Sequence, residues 1–277
     1  MKNNRRPVGT YAAKKPLADI QKSRDQRGIE INKVGVCDLT FPIAVLDRES
    51  QRQQTAARVS MSVNLPHHFK GTHMSRFVEV LCRHEGEFTM HTLPIMLHEL
   101  KQRLEAEAAH IELEFTYFLH RSAPVTGQRA PMDYQCAFVA ESNASEDDFV
   151  LRVKVPVGTL CPCSKEISDY GAHNQRGYIT ISVRPRRKGK QWELIWFEEL
   201  IELAERSASS PVYPLLKRSD ERHVTMQAYD NPVFVEDVVR NAAGFLMKDK
   251  RVAWFEVSAV NHESIHNHSA FAVVCSH

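Results

Sequence analysis

The residues between Val155 and Gly177, VPVGTLCPCSKEISDYGAHNQRG, concentrate more reactive chemistry than any other stretch of the chain. Cys161 and Cys163 stand one residue apart, His173 follows twelve residues after the first, and Lys165 and Arg176 lie close by. A thiolate beside cations has a depressed pKa and becomes a better metal ligand or nucleophile. A closed zinc site needs four soft ligands, usually as two close pairs. Here there is a single C-x-C with proline inside it and no second cysteine pair, which argues against a zinc finger. Free cysteines are often inert packing residues, but the lysine, serine, histidine and arginine around this pair favour a functional loop.

Three further stretches carry candidate chemistry. In NHESIHNHSA, His266 and His268 share a face if the segment is extended, whereas His262 and His266 do so if it is helical. Such histidines serve as metal ligands or proton carriers near neutral pH, or belong to a solvated loop. LLKRSDERHVT, residues 215–225, sets Asp220, Glu221 and His223 beside Lys217 and Arg218 and reads as a charged loop. HHFKGTHMSRF, residues 67–77, places Ser75 as the cap of a helix starting near Arg76. Backbone amides at that terminus, with Lys70, His73 and Arg76 nearby, suit a phosphate.

The elements that must position these groups follow from hydropathy. Residues 1–32 are polar, without periodicity, and read as a flexible arm. Residues 34–47 and 55–66 have strand character, 75–86 and 89–108 carry helical spacing, and 110–123 and 132–143 alternate as strands. The order then recurs, with strands at 149–159 and 177–186, helices at 194–208 and 231–249, and strands at 252–262 and 267–276. Asn231 is read as the cap of the later helix, with Pro232 in its first turn. Two ββααββ modules, 33–145 and 146–277, predict an α+β chain of antiparallel sheets with helices on one face. Open sheet edges predict pairing between subunits.

Composition narrows the partners. The 277 residues carry a net charge of +2, too near balance for a general nucleic-acid binder. The six cysteines are dispersed, which argues against a disulfide framework. No apolar run reaches membrane-spanning length, and the basic N-terminus lacks a signal-peptide pattern, so a cytoplasmic protein is expected.

Together KGTHMSRF (70–77), TLCPCSKEIS (159–168), GAHNQRG (171–177) and NHESIHNHSA (261–270) resemble the type IB GTP cyclohydrolase I family, and DIQKSRDQRGIEINKVGV (19–36) is similar to the family's start. The resemblance implies a tunnelling fold of tandem ββααββ modules assembled as a homotetramer with shared active sites. It implies hydrolytic opening of the GTP imidazole ring, loss of C8 as formate, and formation of 7,8-dihydroneopterin triphosphate on the route to tetrahydrofolate. It also implies a divalent metal, zinc, manganese or iron, held by Cys161, His173, Glu221 and His266. Cys161, His173 and His266 become the catalytic set, and Glu236 the carboxylate that grips the guanine N–H edge. Lys70, His73, Arg76, Lys165 and Arg176 become candidates for the triphosphate. Two relatives are rivals. One is the archaeal-type enzyme that releases a cyclic phosphate. The other is the nitrile reductase of queuosine synthesis, whose run of glutamate, serine, lysine and aromatic residues is not found.

Overall fold

The computed structural model describes residues 19–48, 52–86, 88–189 and 191–276. Alternation of apolar and polar residues builds the long strands β1 (Ile31–Val45), β2 (Gln53–Leu65), β3 (Ala109–Ser122), β4 (Arg129–Ser142), β5 (Asp147–Leu160) and β6 (Asn174–Pro185). In β6 the expected inward residues Ile179, Ile181 and Val183 are fully buried. Helices α1 (Met74–Arg83) and α2 (Thr92–Leu104) lie between β2 and β3. The second half holds α3 (Pro162–Ile167), the short hairpin β7 (Arg187–Lys188) and β8 (Gln191–Trp192), and α4 (Phe197–Ser207). It continues through β9 (Ser210–Pro211), α5 (Arg218–Asp230) and α6 (Val235–Leu246) to β10 (Val252–His262) and β11 (Ser269–Cys275).

All the long strands join one antiparallel sheet in the order β1-β2-β3-β4-β5-β6-β10-β11, with β9 paired to β5. The sheet therefore runs unbroken across the expected boundary between residues 145 and 146, where the β4–β5 hairpin pairs from Ser142↔Asp147 to Gln135↔Lys154. The buried faces of α1, α2, α4 and α6 join the inward sheet residues in one hydrophobic core. At the seam Phe197 of α4 sits among Phe115, Tyr117 and Phe138, with ring centroids 5.8, 5.6 and 5.3 Å away.

Local signals were misleading in four places. Residues 1–18 of the expected arm lie outside the described residues, and residues 21–25 are bonded to 68–71, through Asp25 N to His68 O (3.1 Å), Lys70 N to Ser23 O (3.0 Å) and Gly71 N to Gln21 O (3.1 Å). Ser75 lies inside α1, whose N-cap is His73. Asn231 ends α5 instead of starting α6, where Phe234 is the N-cap and its N–H bonds the Asp237 carboxylate (3.1 Å).

The largest departure is α5, which covers most of the run read as a charged loop. Its only buried residues are Asp220 and Ala228, so it shows no apolar stripe. Asp220 secures it instead. The carboxylate accepts hydrogen bonds from Lys217 N (2.9 Å), Val125 N (2.8 Å), Thr126 N (2.9 Å) and Thr126 Oγ1 (2.7 Å). Burial alone would raise its pKa, but these bonds outweigh it and hold the carboxyl well below the usual range. A depressed folded-state pKa adds stability that is complete above the unfolded value of about 3.9 and drains as pH falls below it. Asp220→Asn should therefore lower the urea midpoint at about pH 7, and the deficit should shrink toward about pH 3. A deficit that does not change with pH would show that charge is not what holds the turn.

Candidate active site around Cys161 and His173

The site begins where β5 ends and β6 starts, in the pairs Gly158↔Arg176, Thr159↔Gln175 and Leu160↔Asn174. Pro162 starts α3 with its φ already fixed, leaving Cys161 as the N-cap. The Cys161 sulfur accepts a hydrogen bond from Ser164 N (3.5 Å). Gly171, at φ +134°, turns the chain back in a conformation that side chains disfavour. Cys161 N then donates to His173 O (3.1 Å) and Ser164 Oγ accepts from His173 N (3.2 Å). Ser164 Oγ also donates to Cys161 O (3.1 Å). The backbones of Cys161 and His173, twelve residues apart, are thus clamped together, directly and through one serine.

The β10–β11 loop closes on the same place. Ser264 Oγ and His173 Nδ1 are hydrogen-bonded (3.3 Å), which leaves Nε2 as the free ring nitrogen. Gln175 Nε2 donates to Glu263 Oε1 (3.2 Å). Residues 264–268 form a bent loop, neither extended nor helical, in which His266 and His268 stack at 5.0 Å, while His262 bonds Ser269 Oγ (3.1 Å) and meets the Tyr178 ring edge-on. Ser264 and Gln175 escaped sequence reasoning. The only signal for Gln175 was its place inside GAHNQRG, and Ser264 had none.

Beside this cluster lies a cavity of about 460 Å³ lined by Gly158, Gln175, Arg176, Val224, His262 and Ser264 among others. A second, of about 470 Å³, adjoins it through Arg176, Val212 and Tyr213 and runs onto the open face of the sheet past Lys154 and Tyr178. Together they offer the room a nucleotide requires.

The other predicted residues stand apart from the pair. Glu221 is exposed in the first turn of α5, one helical turn before the cavity residue Thr225, and Glu236 is exposed in the first turn of α6. Lys165 packs α3 against α5, donating to Tyr229 O (2.6 Å) with its ammonium 4.2 Å from the Tyr229 ring centroid. His73 bonds Asp19 (3.2 Å), Arg76 donates to Arg103 O (2.5 Å), and neither they nor Lys70 line the two cavities. Among the described residues, no group of three histidine, cysteine or carboxylate side chains is arranged to hold a metal ion. The fit to a divalent metal is therefore partial: one chain brings the backbones of Cys161 and His173 together and adds no third donor residue among the described residues. Among the described residues no helix is long and apolar enough to cross a membrane.

Comparison with known proteins agrees with this architecture. The solved structures of uricase from Arthrobacter globiformis (TM-score 0.51, 9% identity, 88% of this chain and 92% of that one) and of urate oxidase from Bacillus sp. TB-90 (TM-score 0.50, 10% identity, 89% and 99%) share the fold, the tunnelling fold. GTP cyclohydrolase FolE2 of Geotalea uraniireducens (strain Rf4) is 52% identical over 258 residues, 93% of each chain. Its counterpart from Citrifermentans bemidjiense is 52% identical over 267 residues, 96% of this chain and 97% of that one. The family model described as type I GTP cyclohydrolase folE2 matches residues 17–272. With its fold, its Cys161–His173 clamp and this match over nearly its whole length, the chain belongs to the type I GTP cyclohydrolase family.

Proposed function

We propose that the chain opens the imidazole ring of GTP by hydrolysis, releases C8 as formate and yields 7,8-dihydroneopterin triphosphate, with the chemistry centred on Cys161 and His173. The observation that carries this reading is the clamp joining the backbones of those two residues beside a nucleotide-sized cavity, in a chain of this family.

C8 of guanine is a weak electrophile and neutral water a weak nucleophile. A zinc, manganese or iron ion held by Cys161 and His173, with Glu221 and His266 as further donors, would supply an acidified water at neutral pH. His266 carries protons to and from the opening ring. Glu236 accepts two hydrogen bonds from guanine N1–H and the 2-amino group, a charge-assisted grip that fixes the base. Since no three donors of one chain come together among the described residues, the ligand set is completed in a homotetramer whose subunits share each pocket, and the edges of β1 and β11 suit that assembly.

Incubation with GTP and Mn²⁺ or Zn²⁺ should release formate and, after oxidation, a fluorescent neopterin triphosphate. Loss of activity on treatment with a chelator, and its return with metal, should accompany this. Absence of formate under all metals would overturn the reading.

A further inference from the structure

On the open face of the sheet, basic residues are neutralised across strands. Lys33 pairs with Glu141 (3.1 Å), Arg58 with Glu114 (2.9 Å), Arg152 with Glu112 (3.0 Å) and Arg184 with Asp148 (2.7 Å). Lys154 and Arg176 break this rule: among the described residues neither has a carboxylate within ion-pair distance. Both line the same cavity on that face. The Lys154 ammonium leans over the Tyr178 ring, 4.6 Å from its centroid, and Tyr178 stands two residues from Arg176. Asp133 is the one carboxylate in the lining, and it is paired with neither cation.

We infer that Lys154, together with Arg176, binds the polyphosphate of the nucleotide substrate and sets the preference for a triphosphate over shorter phosphates. This rests on the reading of the site proposed above. Two unpaired cations that share a cavity present a concentrated positive potential, which a chain of phosphates satisfies with charge-assisted hydrogen bonds. Their order along the strands fits. Gly158, paired with Arg176, lies three residues from Cys161, which at roughly 3.3 Å per residue is about 10 Å. A ribose spans such an interval between a purine held at Cys161 and its first phosphates at Arg176. Lys154, four residues further along β5, reaches back over Tyr178 to the end of the phosphate chain. Sequence reasoning assigned this work to Lys70, His73, Arg76 and Lys165 besides Arg176, and passed over Lys154.

Titration calorimetry of the full chain with inorganic tripolyphosphate, paired with GTP kinetics, tests the inference. Lys154→Met should weaken tripolyphosphate binding and raise KM for GTP roughly tenfold each, with kcat changed little. It should also narrow the wild type's preference for GTP over GMP, and Lys154→Arg should restore most of the loss. Arg152→Met, on the same strand and face but paired with Glu112, should leave tripolyphosphate binding within about twofold. No tripolyphosphate binding by the wild type, unchanged binding and KM in Lys154→Met, or an equal loss in Arg152→Met would each overturn the role of Lys154. Lys154-dependent binding of tripolyphosphate in a protein that releases no formate from GTP would leave the anion site standing and remove the reaction.

Discussion

Cys161→Ala is expected to lower kcat/KM for GTP on the order of 10³-fold or more, the scale seen when one member of a cooperating catalytic set is removed. Stability should fall by only about 1 kcal/mol, the usual cost of losing a helix cap. The asymmetry follows from what the side chain touches. Its sulfur makes one long hydrogen bond, to Ser164 N at 3.5 Å, while the bonds that shape the loop run through backbone atoms and the Ser164 hydroxyl. Cys163→Ala is the natural companion, because that thiol is exposed and absent from the clamp, and its activity should be retained. Formate release and urea unfolding of both variants give the answer. Near-normal turnover in Cys161→Ala, or equal losses in the two, would retire Cys161 as the reacting group.

The largest effect on stability is expected from Phe197→Ala. Phe197 is 4% exposed and packs against Phe115, Tyr117 and Phe138 on strands β3 and β4, next to the β4–β5 seam. Tyr117 is in turn fixed by its hydroxyl, which donates to Glu198 at 2.7 Å. Truncating such a ring costs about 3–5 kcal/mol, because the rigid strands beneath cannot collapse into the space. Since the aromatic group lies where the two halves of the sheet meet, unfolding should remain a single transition displaced to lower urea. A loss under about 1.5 kcal/mol, or separate transitions with one half unaffected, would show that the seam is not a shared core.

Much of this fold was legible in the sequence, for a physical reason. A strand with one buried face prints its geometry as alternation, and β10 spans Val252–His262 as the pattern predicted. Helices α1 and α4 bury a stripe and print that too. Helix α5 buries almost nothing and is held by the Asp220 carboxylate, so periodicity had nothing to report there. Nor could alternation tell that β4 and β5 would pair and make the sheet continuous, because it fixes a strand's faces and leaves its neighbours open.

The site divides along the same line. Cys161 and His173 were legible because a short helix and a glycine turn return the chain locally. Ser264 was not, since it arrives through the register of β6 with β10, set by dozens of residues elsewhere. Lysine and arginine near a phosphate-like loop looked free in sequence. Asp19 and the Arg103 carbonyl, which engage His73 and Arg76, lie too far along the chain for local reasoning to find.

Three of the four bonds gathered by Asp220, those from Val125 and Thr126, also make a mechanical link. They fasten the tip of the β3–β4 hairpin, in the first half of the chain, to the helix whose Val224, Thr225 and Ala228 wall the cavity in the second. A disturbance at that rim, remote in sequence from Cys161, is thereby transmitted to the surface a ligand leans on. The hairpin tip works as a buttress, and its freedom to vary is limited by a pocket it never enters.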